Sequence, residues 1–185
     1  LLEGQIAGDK DTIPQPSRAD GHGKLKQEFA LLEDAGLGRR LVVRPSSVFG
    51  YTSHGRLGLV SALISAAIQN RDAVIFGALS TQRDFIFAPD IGRYISEKVL
   101  NVSLQAPNLE RVILASGRPA SIFEIIKTVE DVVGTSLYLK IEANPDNALN
   151  NTFRASVLPF GFIPTSLRQG IERTKSEMEN HSFGK

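Results

Sequence analysis

The spacing of apolar positions changes several times along this chain, and each change predicts an element. Between His22 and Gly36, Leu25, Phe29 and Leu32 recur at intervals of four and three, the stripe of an amphipathic helix. Gly36 and Gly38 stop it, and Arg40-Leu41-Val42-Val43-Arg44 reads as a short strand ended by Pro45. A helix, a glycine turn and a β-branched strand, in that order, form the second half of an α/β unit. Leu59 to Gln69 is apolar nearly all round, as befits a helix covered on several sides.

Further on, Ala73–Phe76 and Asp84–Phe87 read as short strands around a polar loop. Asp90 is placed to cap a helix that turns Ile91, Tyr94, Ile95 and Val99 inward. Arg111–Leu114 is a further strand, and Ser121-Ile-Phe-Glu124 is a capping-box pattern opening a helix to about Val133. Leu137–Ile141 reads as a strand before a polar stretch that runs to Asn151. Ser166-Leu-Arg-Gln169 repeats the capping signature ahead of a last helix, whose tail after Lys175 is polar and expected to fray. Residues 1–21, rich in Gly, Asp and Pro, read as loop.

Composition narrows the chemistry. At 185 residues and 42% hydrophobic content the chain can bury one substantial core, or one core and a small lobe. A net charge of +1 gives no electrostatic case for nucleic acid or a membrane surface. There is no cysteine, and His22, His54 and His181 have no ligand spacing, so no metal site is expected. Ser46 and Ser47 sit in no nucleophile elbow. The apolar run from Leu59 to Ile68 is too short for a bilayer and no signal peptide is visible, which makes the cytoplasm the default. That run reads first as core and second as an oligomer contact, leaving a homodimer open. The chain starts at Leu1 and its only methionine is Met178, so Leu1 is not expected to be the translational start.

Segments in order resemble one family. His22-Gly-Lys-Leu-Lys26-Gln-Glu28 resembles the Tyr-Gly-x-x-Lys helix start, followed closely by Glu, of the extended short-chain dehydrogenases. Val43-Arg44-Pro45-Ser46-Ser47-Val48-Phe49-Gly50 resembles their Arg-Pro-x-Asn-Val-Tyr-Gly strand end, and Gln82-Arg83-Asp84-Phe85-Ile86 resembles their Arg-Asp-Phe/Tyr-Ile/Val segment. Gly161-Phe-Ile-Pro164 through Gly170-Ile171 resembles their closing pattern. The resemblance runs from about Glu3 to about Thr174 and implies the C-terminal portion of an NAD-dependent sugar-nucleotide epimerase or dehydratase. The implied fold is α/β: the C-terminal part of a Rossmann-type parallel sheet plus a small α/β substrate-binding lobe. Residues 1–50 would be the remnant of the dinucleotide-binding domain, and residues 51–185 mostly the lobe, with some segments returning to the Rossmann core.

The resemblance also implies roles. In such enzymes NAD or NADP takes hydride from a carbon of a UDP- or dTDP-sugar, for polysaccharide biosynthesis, while a tyrosine phenolate removes the hydroxyl proton. The reference phenol pKa is about 10, so a lysine one helical turn away assists it. His22 stands in the tyrosine position and Lys26 in that of the lysine, which also serves the cofactor ribose. Glu3, or its neighbour Leu2, falls at the Ser/Thr position that completes the catalytic set. Pro45 and Ser46 would pass under the cofactor, while Ser47, Phe76 and Arg83 would face the sugar-nucleotide, Arg83 holding its diphosphate. Val74 and Ile75 belong to the same strand as Phe76, expected near the base. The bland alternatives are an exposed helix-start histidine at 22 and a surface ion-pair arginine at 83.

Two departures bear on activity. Histidine replaces tyrosine, and no Gly-x-x-Gly-x-x-Gly turn follows a strand, Gly55-x-x-Gly58 being the nearest spacing. By itself the chain is expected to hold NAD poorly and to be catalytically impaired. A non-catalytic sugar-nucleotide-binding or assembly module of the same fold is the alternative, and an unstable remnant with uncovered edges is a third reading.

Overall fold

Parallel strand pairs dominate the computed structural model, which describes residues 12–34, 36, 38–54, 56–101, 108–144, 147 and 149–182. Helix α1 (Ala19–Glu33) leads to strands β1 (Arg40–Pro45) and β2 (Ser47–Phe49), then helix α2 (Leu59–Ile68) and strand β3 (Ala73–Phe76). Strands β4 (Gln82–Arg83) and β5 (Phe85–Phe87) run into helix α3 (Ala88–Leu100), followed by β6 (Leu109–Leu114) and β7 (Ala120–Ser121). Helix α4 (Ile122–Val133), strand β8 (Leu139–Glu142), a 3-10 turn (Ala155–Val157) and helix α5 (Leu167–Ser182) complete the described elements. β1 lies parallel to β6, with Arg40 opposite Leu109 and Pro45 opposite Leu114. β2 lies parallel to β5 and β3 to β8, while β4 and β7 pair antiparallel. Each parallel pair is joined through intervening helix, as parallel pairing requires. This is the mixed α/β class that the sequence predicts.

The main core lies under α2, α4 and α5. Val60, Leu63 and Ile64 of α2 meet Ile122, Ile125, Ile126 and Val129 of α4 and Ile171 of α5, above Phe49, Ile75 and Phe87. The all-round apolar α2 is thus explained by cover on several sides. Helix α4 begins with the predicted capping box, Ser121 and Glu124 bonding each other's backbone N–H, and ends at Gly134 with φ 79°. Gly170 lets α5 seat closely, since a Cβ there would fall 2.5 Å from Phe49 Cζ.

Several expectations are corrected. Helix α1 starts at Ala19 rather than His22 and ends at Glu33, and the only residue it buries is Glu28. Phe29, expected inward, is 49% exposed, because α1 meets β1 through a charged contact described below. Asp90 does not cap α3. Phe87 holds the cap position, and Asp90 is buried in the first turn, where it accepts bonds from the Thr165 N–H (2.7 Å) and hydroxyl (2.9 Å). Of the apolar residues expected inward on α3, Tyr94 is buried but Ile95 and Val99 are exposed. Helix α5 does not fray at Lys175. It continues to Ser182, with Met178 packed on the core and His181 stacked on Tyr51 at 4.7 Å. No described helix is long and apolar enough to cross a membrane.

Candidate functional site

The predicted strand Asp84–Phe87 starts with a residue that belongs to neither neighbour. β4 pairs with β7 and β5 with β2, and Asp84 sits between them, fully buried. Its Oδ1 accepts from Ser46 Oγ (2.8 Å) and the Ser116 N–H (2.7 Å). Its Oδ2 accepts from Ser116 Oγ (3.0 Å) and the Gly117 N–H (2.8 Å). The Asp84 N–H donates to the Asn151 carbonyl, and its carbonyl accepts from the Ser47 N–H. One carboxylate therefore ties the β1–β2 junction to the β6–β7 loop and fixes where the preceding residue, Arg83, stands. Sequence reading passed over Asp84 because its partners come from distant loops.

A second buried contact sets the rotation of α1. Glu28 accepts from Arg44 Nη2 (2.6 Å) and Nε (3.2 Å), both side chains being under 10% exposed, and Arg111 Nε lies 3.5 Å from the same carboxylate. Arg44 Nη1 also donates to the Thr12 carbonyl at 3.0 Å. With Glu28 turned to β1, Lys24 and Leu31 fall on its side of the helix, one turn before and one turn after it, with Gln27 adjacent.

These residues line a cleft of about 660 Å³ whose other walls include Pro45, Ser46, Ser47 and Arg83. Arg83, half-buried on β4 and bridged through its backbone to Asn151, also borders a second cavity of about 720 Å³ with Arg118 and the segment leading into α5. Pro45 is exposed at the end of β1, and Ser47 is half-buried beside it. The Ser46 hydroxyl is engaged by Asp84, so it supports the cleft wall from behind.

Other sequence-predicted residues lie elsewhere. His22 and Lys26 are exposed and line neither of the two cavities that Arg83 borders. At about 100° per residue they fall on the side of α1 roughly opposite Lys24, Gln27 and Leu31. Phe76, at the end of β3, is 48% exposed and lines neither of the cavities that Arg83 borders; its carbonyl accepts from Asn147 Nδ2 at 3.2 Å. Val74 on the same strand is exposed and Ile75 is core. Glu3 and Leu2 lie outside the described residues. Lys24, which the sequence reading assigned no role, is the α1 cation in the cleft. Its Nζ donates to Asp20 Oδ2 at 2.8 Å, and this bond holds the Asp20 carboxyl below the usual carboxylate range.

The fit to a dinucleotide can be tested on backbone amides, because its pyrophosphate needs N–H groups at a strand-to-helix turn. The β6–β7 loop carries Gly117 just before α4, but the Ser116 and Gly117 N–H groups both bond Asp84. Gly58 leads α2 with no strand immediately before it, and α3 follows β5 directly. Among the described residues nothing cradles a pyrophosphate, and no step through NAD is assigned to this chain. No group of acidic or histidine side chains among them could hold a metal ion.

No protein-family model matches the chain, and no curated protein matches its sequence. Solved structures do match. MoeE5 in complex with UDP-glucuronic acid and NAD superposes with a TM-score of 0.82 at 21% identity, over 97% of this chain and 62% of that one. The Thermus thermophilus UDP-glucose 4-epimerase complexed with NAD gives 0.78 at 15% identity, over 95% and 58%. The Bacillus cereus UDP-glucuronic acid 4-epimerase, in complex with UDP-glucuronic acid and NAD, gives 0.80 at 20%, over 97% and 58%. The chain therefore spans about three-fifths of the length of these proteins. At such identities the likeness shows the fold. This chain has the Rossmann-like fold of the NAD-dependent UDP-sugar epimerases, over a part of it, as the sequence resemblance implies.

Proposed function

We propose that this chain is the substrate-binding, C-terminal part of an NAD-dependent sugar-nucleotide epimerase or dehydratase, and that it binds a UDP- or dTDP-sugar in the cleft between α1 and the β1–β2 junction. The observation that carries the reading is Arg83, held at the cleft by the Asp84 network and facing the Pro45-Ser46-Ser47 wall. A guanidinium fork matches the oxygens of a diphosphate and stays charged at every working pH. Ser47 Oγ can donate to a phosphate or sugar oxygen, and Pro45 offers an apolar edge. Ser46 and Asp84 act from behind, holding the wall in place. Similarly folded proteins in complex with UDP-glucose or UDP-glucuronic acid support the ligand class. The same reading carries a cytoplasmic setting, a part in polysaccharide biosynthesis and a homodimer.

A second reading is favoured by one observation: neither tyrosine nor histidine lines the cleft, so no phenol or imidazole there is placed to move a proton. On that reading the chain is a binding module without hydride chemistry. Calorimetric titration with UDP-glucose and UDP tests the shared core, which predicts saturable binding of both and fails if neither binds. Conversion of a UDP-sugar with added NAD, followed by chromatographic separation of substrate and product because the reaction is redox-neutral overall, then decides between them. Turnover retains the enzyme reading, and binding without turnover leaves the module.

A further inference from the structure

The second cavity that Arg83 borders, about 720 Å³, has no part in the proposed function. Its volume suits a small organic molecule. Arg83 and Arg118 are the only charged side chains among the described residues that line it, which makes its charge positive. Asp84 and Asp90 stand buried behind its walls. Ser46, Ser116 and Gly117 occupy the oxygens of the first, and Thr165 and Arg93 those of the second. The Arg118 guanidinium is exposed and makes no hydrogen bond or ion pair among the described residues. Its backbone, by contrast, is pinned. The Arg118 N–H donates to Ser116 Oγ at 3.1 Å, and the Ser116 and Gly117 N–H groups donate to Asp84. Gly117, at φ 67°, lets this loop lie against the 3-10 turn, since a Cβ there would fall 2.8 Å from Ala155 Cα.

Another wall of the cavity is apolar and equally fixed. The segment between the 3-10 turn and α5 leaves Phe160 fully exposed and Ile163 at 76% exposure, and both line the cavity. Phe162, between them, packs edge-on against Tyr94 with ring centroids 5.6 Å apart. The Ile163 carbonyl accepts from Arg93 Nη2 at 3.0 Å, and the Thr165 hydroxyl bonds Asp90. An unpaired cation on a pinned loop and an exposed apolar wall on an anchored segment are both in place before a ligand arrives, so little ordering opposes binding. We propose that this cavity binds an amphiphilic organic anion, a carboxylate or phosphate monoester whose head takes the Arg118 guanidinium and whose apolar body lies along Phe160 and Ile163. A guanidinium fork matches either head, and covering the two exposed side chains drives the body in. The site is separate from the sugar-nucleotide cleft except at Arg83, which both cavities share.

Fluorescence titration with anilinonaphthalene sulfonate, an aromatic body carrying a fixed anion, tests the proposal. The wild-type chain should bind this probe saturably. Arg118→Gln should weaken binding about tenfold through loss of a charged hydrogen bond, and Phe160→Ser about fivefold through loss of apolar contact. Both residues are exposed, so their variants should keep the wild-type urea midpoint. Lys24→Gln, which alters the cleft and not this cavity, should leave the probe unaffected. Octanoate and octyl phosphate should displace the probe, with octanol at least about tenfold less effective. Displacement by only one of the two anions supports the site and assigns its head group. The proposal is overturned if the wild type shows no saturable binding, if Arg118→Gln binds the probe as tightly as the wild type, if Lys24→Gln carries the loss, or if octanol matches the anions. None of these outcomes involves UDP, so the proposed function stands or falls on its own titration.

Discussion

In the main core, α2, α4 and α5 meet through Leu63, Ile64, Ile125, Ile126, Val129 and Ile171, nearly all without solvent exposure. In the layer formed by α1, β1 and β6, the helix buries a single residue, and that residue is the charged Glu28. The main core is held by dry packing that hardly depends on charge. The position of α1 depends on an ion pair whose loss strands a carboxylate in a poorly solvated place. Because α1 carries Lys24 to the cleft, the cleft borrows its walls from the layer more than from the main core. Its geometry should therefore fail before the main core does.

The largest expected effect breaks the layer. Arg44→Ala leaves Glu28 buried with only Arg111 near it, and should cost about 3–5 kcal/mol in urea denaturation. The double variant Glu28→Leu/Arg44→Met should recover most of that loss, since an apolar pair of similar volume needs no partner. In the main core, Ile125→Ala should cost about 2–5 kcal/mol through the cavity it opens, against less than about 0.5 kcal/mol for half-exposed Phe29→Ala on α1. Equal costs at positions 29 and 125 would erase the contrast between the two regions. Removing the α4 cap by Ser121→Ala should cost about 1 kcal/mol.

The smallest effect comes from acid acting on α4. Glu130 titrates below its usual range because Lys127 and then the Leu137 N–H bond it, and Glu124 does so through the Ser121 N–H and hydroxyl. A carboxyl with a lowered folded pKa stabilises above its unfolded value, here near 4.5, and the contribution is lost as pH falls through the folded value. The thermal midpoint should hold from pH 7 to about 5 and decline below that, less steeply in Glu130→Gln. A decline that begins above pH 6 would contradict this assignment.

Elements with local causes were legible in the sequence. The capping box at Ser121 and the all-round apolar α2 need only neighbours a few positions away. Asp84 and Asp90 were not legible in their true roles, because Ser116, Gly117 and Thr165 reach them across the fold. The sequence places the α1 pattern at His22 and Lys26, whereas the helix turns Lys24 to the cleft. The rotation of α1 is set by the Glu28–Arg44 contact, which spans 16 positions and which no periodicity within the helix contains. Phe76 was expected near the base from the family resemblance of its strand, and whether a side chain at a strand end joins a cavity depends on loops that hydrophobicity does not encode.

The most direct measurement of the central claim is a calorimetric titration of UDP into the wild-type chain and Arg83→Ala. A half-buried guanidinium that clasps a diphosphate predicts binding weakened by at least about tenfold, with the thermal midpoint nearly unchanged. Equal affinities in the two proteins would contradict the assignment of the α1–β1–β2 cleft as the nucleotide-sugar site.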